Sequence, residues 1–288
     1  MRSAVDFSHA TPVVAERLVR FFRHKSAQDL EGTMALFARR PCTYIDATLG
    51  WDLGSWSELH VFFAQYMPGW PKGSASYPVR ILGDLRSAVV FFTDTPGLFG
   101  SGEIRLAGAV DFERGLIARQ VDYWDGRHFG VGELADLQLP ADRFPSNFGE
   151  STVSGSSSPV MRRVVRDLVG ALRVGDGATV AQMLSPDSVF EDIPAHIRIE
   201  GPRSISTYLS NTARLLPYAG SGTGIRHVLG SERGGGYEFM STSGPVPRGI
   251  VGLELDRWQK ISRFTAVWDG SLVDDATLAV LAARAVER

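Results

Sequence analysis

The chain has little of what usually gives a protein's chemistry away. A single cysteine, Cys42, stands in 288 residues, so an intrachain disulfide framework and a thiolate metal cluster are both excluded. Beside Pro41, at the start of an extended segment, Cys42 reads as a small core-edge residue and not as a nucleophile. Lysine occurs only at positions 25, 72 and 260, and arginine carries nearly all the positive charge. The formal net charge of −2 gives no electrostatic reason to bind nucleic acid or an acidic membrane surface. No apolar run approaches the length of a membrane span, and the N-terminal stretch lacks the continuous apolar segment of a signal peptide. The expectation is a cytoplasmic protein with neither nucleic-acid nor membrane partners. The six histidines are scattered without metal-ligand spacing, and no glycine-rich nucleotide loop follows a strand. Neither a metal nor a cofactor is expected.

Hydrophobic residues make up 44% and charged residues 22% of the chain, a globular balance that argues against global disorder. The clearest boundary is the segment Leu139–Pro159 (LPADRFPSNFGESTVSGSSSP), rich in Pro, Gly and Ser and without apolar period, which reads as a connector. It divides the chain into residues 1–138, a linker 139–158 and residues 159–288. The halves repeat one another. Gly83–Gly97 and Gly230–Gly244 align without a gap, matching at Gly83/Gly230, Arg86/Arg233, Phe92/Phe239, Thr95/Thr242 and Gly97/Gly244. Further on, Trp124-Asp125-Gly126 matches Trp268-Asp269-Gly270.

Each half presents the same order of elements. An amphipathic helix comes first, with Val14, Leu18, Phe21 and Phe22 at helical spacing, or Val164, Leu168, Leu172 and Val174 in the second half. A short helix follows, then a strand carrying Tyr44-Ile45-Asp46 or Phe190-Glu191-Asp192. A third helix begins after Gly54 or Gly201. Four strands complete the half, in the first case Tyr77–Leu82, Ala88–Thr93, Ile104–Phe112 and Leu116–Trp124. This is an α+β arrangement: two tandem cone-shaped domains, each a bent, mostly antiparallel sheet wrapped by three helices around an apolar cavity.

The stretch VFEDIPAHIRIEGPRSISTYL resembles the segment of ketosteroid isomerases that carries their general base, with Asp192 in its place. The chain is thereby similar to the SnoaL-like, nuclear-transport-factor-2-like superfamily over nearly its whole length apart from the linker. The first half looks more like the limonene-epoxide-hydrolase branch, in which a Tyr-x-Asn and two Asp residues open an epoxide. Here Tyr44-x-Asp46, Asp94 and Asp122 (in Gln120-Val121-Asp122-Tyr123-Trp124-Asp125) stand at those places. Asp46 replaces the Asn, and Phe92 stands where that family has an Arg. The tandem form resembles the two-domain epoxide hydrolases/cyclases of polyether biosynthesis, the lasalocid type. Those carry an Asp in each half at the position of Asp46 and Asp192, paired with a Glu on a neighbouring strand. Arg80 and His227 are what the neighbouring strands offer here.

The resemblance implies a cofactor-free epoxide-opening cyclase or hydrolase acting on a hydrophobic, polyketide-type small molecule. Its candidate catalytic residues are Asp46, Asp192, Asp122 and Asp94. Its candidate substrate-binding residues are Tyr44, Phe190, Trp124, Trp268, Phe264 and His227. Two carboxyl groups in one apolar site can act as acid and base if their pKa values are pushed apart. Asp46 could pair with Asp122 or with Asp94. Asp94 also reads as a turn residue before Pro96-Gly97. In the second half Phe190, Ser241 and Ala266 replace Tyr44, Asp94 and Asp122, leaving Asp192 alone, and Glu191 is expected on the opposite, solvent side. Three readings stay open: the epoxide-opening enzyme, another cofactor-free cyclase, isomerase or dehydratase using one Asp, and a non-catalytic module binding an apolar molecule. The two halves are expected to form an intramolecular pseudo-dimer, with a homodimer as a further possibility.

Overall fold

The computed structural model describes residues 4–145 and 157–286. The first half runs β1 (Asp6–Ala10), α1 (Pro12–Ser26), α2 (Leu30–Met34), β2 (Thr43–Asp46), β3 (Trp51–Leu53), α3 (Trp56–Tyr66), β4 (Ser76–Gly83), β5 (Ser87–Asp94), β6 (Ile104–Glu113), β7 (Leu116–Trp124), α4 (Gly126–Phe129) and α5 (Val131–Leu137). The second runs α6 (Pro159–Val174), α7 (Gly177–Met183), β8 (Leu184–Asp192), β9 (Ile197–Glu200), α8 (Pro202–Thr212), β10 (Thr223–Gly230), β11 (Gly234–Ser241), β12 (Arg248–Leu255), β13 (Ile261–Trp268) and α9 (Asp275–Arg284). Among the described residues, no helix is long and apolar enough to cross a membrane.

The chain is α+β, with one sheet per half and the helices segregated to one face of each. The sheets are ordered β1-β4-β5-β6-β7-β2-β3 and β10-β11-β12-β13-β8-β9. Among the named strands, β1–β4, β2–β7 and β8–β13 pair in parallel and the other pairs are antiparallel. α1 starts on a proline at its first turn and ends in Arg23, His24 and Lys25, both favourable at those ends. It buries Val14, Leu18, Phe21, Phe22 and Lys25 along one stripe. α6 is capped by Ser158, whose side chain accepts from the Met161 N–H, and it stops at Gly175 in the left-handed region. The short strands β1, β3 and β9 escape the sequence reading because they are edge or hairpin pieces too short to show a period.

Every position of β5 and of β12 is buried. One face of each strand meets its own helices, and the other meets the opposite sheet. Each half has its own apolar core, and a third cluster joins them: Leu82, Val89, Phe91, Ala107, Val121 and Tyr123 pack with Leu229, Ile250 and Val267.

Hydrogen-bonded polar and charged pairs sit inside this seam. Arg80 Nη1 donates to Glu254 Oε1 at 3.0 Å, and His227 Nε2 lies 2.9 Å from Asp111 Oδ1. Strand register makes these two contacts equivalents of one another under exchange of the halves. Arg119 adds bonds to Glu238 at 2.7 and 2.8 Å and to Asp111 at 3.2 Å, and the Tyr123 hydroxyl donates to Glu238 at 2.6 Å. Burial alone would raise the Glu238 carboxyl; Arg119 and His227 outweigh it and hold the group below its ordinary value. His227, counted with the candidate substrate-binding residues, therefore faces the other half and not its own interior. Arg80 does the same. Glu191 is not left to solvent either: it is half-buried and accepts from Arg198 at 2.9 Å and Arg263 at 3.0 Å.

The repeated Trp-Asp-Gly closes the seam at one end. The Gly270 N–H donates to Asp125 Oδ1 at 3.1 Å, and the Gly126 N–H donates to Asp269 Oδ1 at 3.2 Å. A Cβ on Gly270 would stand 2.6 Å from Asp125 Oδ1, which explains the glycine. The residues after α5 lie along the same seam. Gln138 Nε2 donates to the Thr48 carbonyl at 2.8 Å, Leu139 N to the Leu49 carbonyl at 2.9 Å, and the Phe144 ring lies over Gly50. Linker residues 146–156 lie outside the described residues.

Removing one member of a fully buried ion pair costs about 3–5 kcal/mol, since the other charge stays behind. Glu238→Gln is expected to destabilise by about that amount, and Gly270→Ala by about 1–3 kcal/mol through the forced shift of Asp125. Urea unfolding of each variant checks this. Midpoints unchanged from the parent would show that the seam does not hold the halves together.

Candidate functional site

Asp46 ends β2 directly beside Asp122 of β7 in the parallel register. Asp46 Oδ1 accepts from the N–H groups of Thr48 at 3.0 Å and Leu49 at 2.9 Å, and both its oxygens lie 3.0 Å from the Trp124 indole nitrogen. The strand-end carboxylate and the tryptophan of the last strand are thus one unit, and the second half repeats it. Asp192 Oδ1 accepts from Trp268 Nε1 at 3.0 Å and from the Ala195 N–H at 3.1 Å.

Around Asp46 the first half assembles further polar groups. The Tyr44 hydroxyl donates to Asp122 Oδ2 at 2.7 Å, and Gln120 Nε2 donates to Asp122 Oδ1 at 2.9 Å. Gly108, opposite Asp122 in the β6–β7 pairing, makes room for it: a Cβ there would stand 2.8 Å from Asp122 Oδ1. Asp94 is the last residue of β5 and is 2% exposed. Its Oδ2 lies 3.5 Å from Lys25 Nζ, while Oδ1 has no hydrogen-bond partner among the described residues. Gln120 Oε1 is likewise buried without a partner. The adjoining turn is held by Thr95, whose hydroxyl accepts from the Ala75 N–H at 2.8 Å. Asp94 therefore faces inward, and the turn-residue reading is set aside.

A cavity of about 20 Å³ lies here, lined by Tyr44, Asp46, Asp94 and Trp124 among Leu49, Trp51, Phe62, Phe99, Ile104 and Leu106. That is room for one water, whose minimum is about 10–15 Å³ on the same measure. Burial raises the Asp46 carboxyl, and the neighbouring Asp122 adds to this against the bonds from Leu49 and Trp124, for a value of about 7. Burial also raises Asp122, which Gln120, Lys25 and Tyr44 limit to about 6. At neutral pH one of two adjacent carboxyls tends to keep its proton, the arrangement that lets one group donate while another accepts.

The second interior differs. The Tyr218 hydroxyl donates to Asp192 Oδ2 at 2.7 Å, so both carboxylate oxygens are occupied. Burial raises this carboxyl to about 6, against the bonds from Tyr218, Ala195 and Trp268. The Tyr218 ring packs 5.6 Å from Phe264 and 6.0 Å from Phe239, and Phe190 packs 5.2 Å from Phe264 and 5.5 Å from Tyr208. Phe190, Phe264 and Trp268 thus lie in the core that Tyr218 helps to fill.

Three residues of these interiors carry no role in the sequence reading. Lys25 is a lone cation on the apolar stripe of α1, 5.4 Å from the Phe92 ring centre and 5.9 Å from that of Phe99. A charge at a core position of a periodic helix is a signal available in sequence. Gln120 shares the strand face of Asp122 by alternation, which is also legible. Tyr218 sits in the loop after α8, where no period marks it.

No family model matches the chain, and no curated protein matches it. Among solved structures it is similar to an uncharacterised protein with a cystatin-like fold from Silicibacter pomeroyi (16% identity, 44% of this chain and 85% of that one, TM-score 0.36). It is also similar to a steroid delta-isomerase from Pseudomonas aeruginosa (18%, 44% and 90%, 0.35) and to an NTF2-like protein of unknown function from Burkholderia pseudomallei (17%, 45% and 100%, 0.35).

A carboxyl whose pKa is raised on folding stabilises the native state below its unfolded value, near 3.8 for Asp46, and loses that contribution as pH climbs through about 7. Asn mimics the protonated acid. Asp46→Asn is therefore expected to unfold at a higher temperature than the parent at pH 8, by on the order of 2 kcal/mol or ~4–8 °C. The gap should narrow steadily as pH falls from about 7 and close only near 3.8. Thermal melts across that range decide it; a gap that widens toward acid would reverse the sign assigned to Asp46.

Proposed function

We propose that the first half is the active site of a cofactor-free epoxide-opening enzyme of the SnoaL-like kind, a cyclase or hydrolase. Its substrate is a hydrophobic, polyketide-type epoxide, and since the cavity as it stands has room for one water, its walls of Trp51, Phe62 and Phe99 must part to admit it. The observation that carries the reading is the cavity shared by a carboxyl raised to about 7, Asp46, and a buried carboxylate oxygen without a partner, Asp94 Oδ1.

In this scheme protonated Asp46 donates its proton to the epoxide oxygen as the C–O bond breaks. Asp94 takes the proton of the attacking hydroxyl, whether water or a hydroxyl of the substrate, as the new C–O bond forms. The net change is one bond broken, one formed and one proton moved from Asp94 to Asp46 to restore the site. Asp122, held by Tyr44 and Gln120, lies beside Asp46 and offers a route for that return. Lys25 Nζ lies 3.5 Å from Asp94 Oδ2, holds that side chain in place and touches neither reacting atom, so it is a positioning residue. The aromatic walls exclude bulk water and strengthen each of these interactions. Asp192, with both oxygens occupied by Tyr218 and Trp268, has a structural role in this reading, and the second half serves as the partner of the first.

General acid–base groups contribute about 10²–10⁴-fold. Asp46→Asn and Asp94→Asn are each expected to lower kcat/KM for an epoxide by about 10²-fold or more, while Asp192→Asn stays within a few-fold, read by chiral chromatography of the diol or cyclic ether. Activity should fall as pH rises through about 7, where Asp46 loses its proton. Epoxide opening that survives both first-half substitutions would remove the basis of this assignment.

A further inference from the structure

The second half carries a groove of one charge on its helical side, away from the seam. Arg173 stands in the last turn of α6, Arg203 in the first turn of α8, Arg214 just past the end of α8, and Arg284 at the end of α9. All four are exposed. They border two adjoining clefts of about 950 and 720 Å³, which share Asn211 and Arg284. No carboxylate is among the described residues that line either cleft.

These arginines are not spent on ion pairs. Arg173 Nη2 donates to the Ser221 carbonyl at 3.2 Å, and Arg284 Nη1 donates to the Asn211 carbonyl. Such bonds suit cations near helix ends, but each uses one of a guanidinium's five donors. The Arg203 and Arg214 guanidiniums hold no hydrogen bond or ion pair among the described residues. Nor does the repeat carry this groove into the first half. α3 (WSELHVFFAQY), at the place of α8, has no arginine, and neither has α5 (VGELADL), at the place of α9.

Like charges gathered without a counter-charge repel one another, and a cleft of one sign draws the opposite ion. The lining narrows that ion. Guanidinium forks match phosphate oxygens, and Ser204, Thr207 and Asn211 add neutral donors along one face of α8. A lone carboxylate would leave most of this charge uncompensated, so a multiply charged anion fits better. On and after α9, Val280, Ala283 and Val286 form an apolar strip beside the arginines, with Val286 70% exposed. We propose that this groove binds an organic diphosphate, with its phosphates among the arginines and its hydrocarbon on the α9 strip. The site lies on the half that the epoxide reading leaves without a substrate, and it does not depend on that reading.

Calorimetric titration of the full chain with inorganic pyrophosphate and with isopentenyl diphosphate tests this. Isopentenyl diphosphate is expected to saturate one site with Kd of about 0.1 mM or below, and pyrophosphate several-fold more weakly for want of the hydrocarbon. Both affinities should fall as salt is added. Arg203→Gln/Arg214→Gln breaks none of the bonds above, so the fold should hold by circular dichroism while affinity drops about tenfold or more. Asp46→Asn should bind as the parent does, which separates this site from the epoxide reading. The proposal is overturned if neither diphosphate saturates, if the double variant binds undiminished, or if pyrophosphate binds as tightly as its isopentenyl ester. Binding of phosphatidate vesicles or poly-L-glutamate where neither diphosphate binds would give the groove to a membrane or an acidic protein instead.

Discussion

Two sheets laid back to back must bury, on one face each, whatever polar groups their strands carry there. That requirement organises the rest of the molecule. The seam solves it by exchange: a base from β4 or β10 meets an acid from β12 or β6 of the other half, and each Trp-Asp-Gly lends its carboxylate to the other's glycine N–H. Unpaired, any of these groups would cost several kcal/mol in an interior of low dielectric. Paired, they fix which strand lies against which. The strands that emerge from this seam are the same ones whose other face carries Asp46, Asp122 and Asp94.

The Trp-Asp-Gly repeat links the two faces. Its tryptophan bonds the strand-end carboxylate inside its own half, and the next two residues bond across to the other half. A shift at the seam would therefore be felt at Asp46 and Asp192 within a residue or two. From the same unit the halves then part ways. In the first, Tyr44 and Gln120 are spent on Asp122, and the cavity keeps one acceptor without a partner among the described residues, Asp94 Oδ1. In the second, Tyr218 is spent on Asp192 itself and its ring joins the aromatic packing.

Much of this was legible in the sequence. The repeat, the α+β order and the helices and long strands follow from apolar period and glycine turns, because burial on one face writes itself into spacing. The equivalence of Asp46 and Asp192 was legible for the same reason. Orientation was not. His227 and Arg80 sit on strands whose two faces are both buried, so alternation cannot say which side is the cone and which the seam. Glu191 misled in the same way: an acid opposite a buried Asp suggests solvent only when nothing covers the second face. Tyr218 was invisible because a loop residue reaches its partner through tertiary geometry alone. Lys25 lay in view as the one charge on an apolar helical stripe.

Arg119 and Glu238 form a contact without a mirror image. Register places Arg263 and Phe91 at the equivalent positions, and Phe91 instead lies beneath the Arg80 guanidinium, 4.2 Å from its ring centre. By that register a pairing of two first halves would set the Arg119 cation against a phenyl ring, whereas a pairing of two second halves would set Arg263 opposite Glu238 and keep an ion pair. It is the first half that needs an unlike partner at this contact. Covalent fusion guarantees that it meets that partner at equal stoichiometry, and it leaves each interior free to differ without unmaking the other.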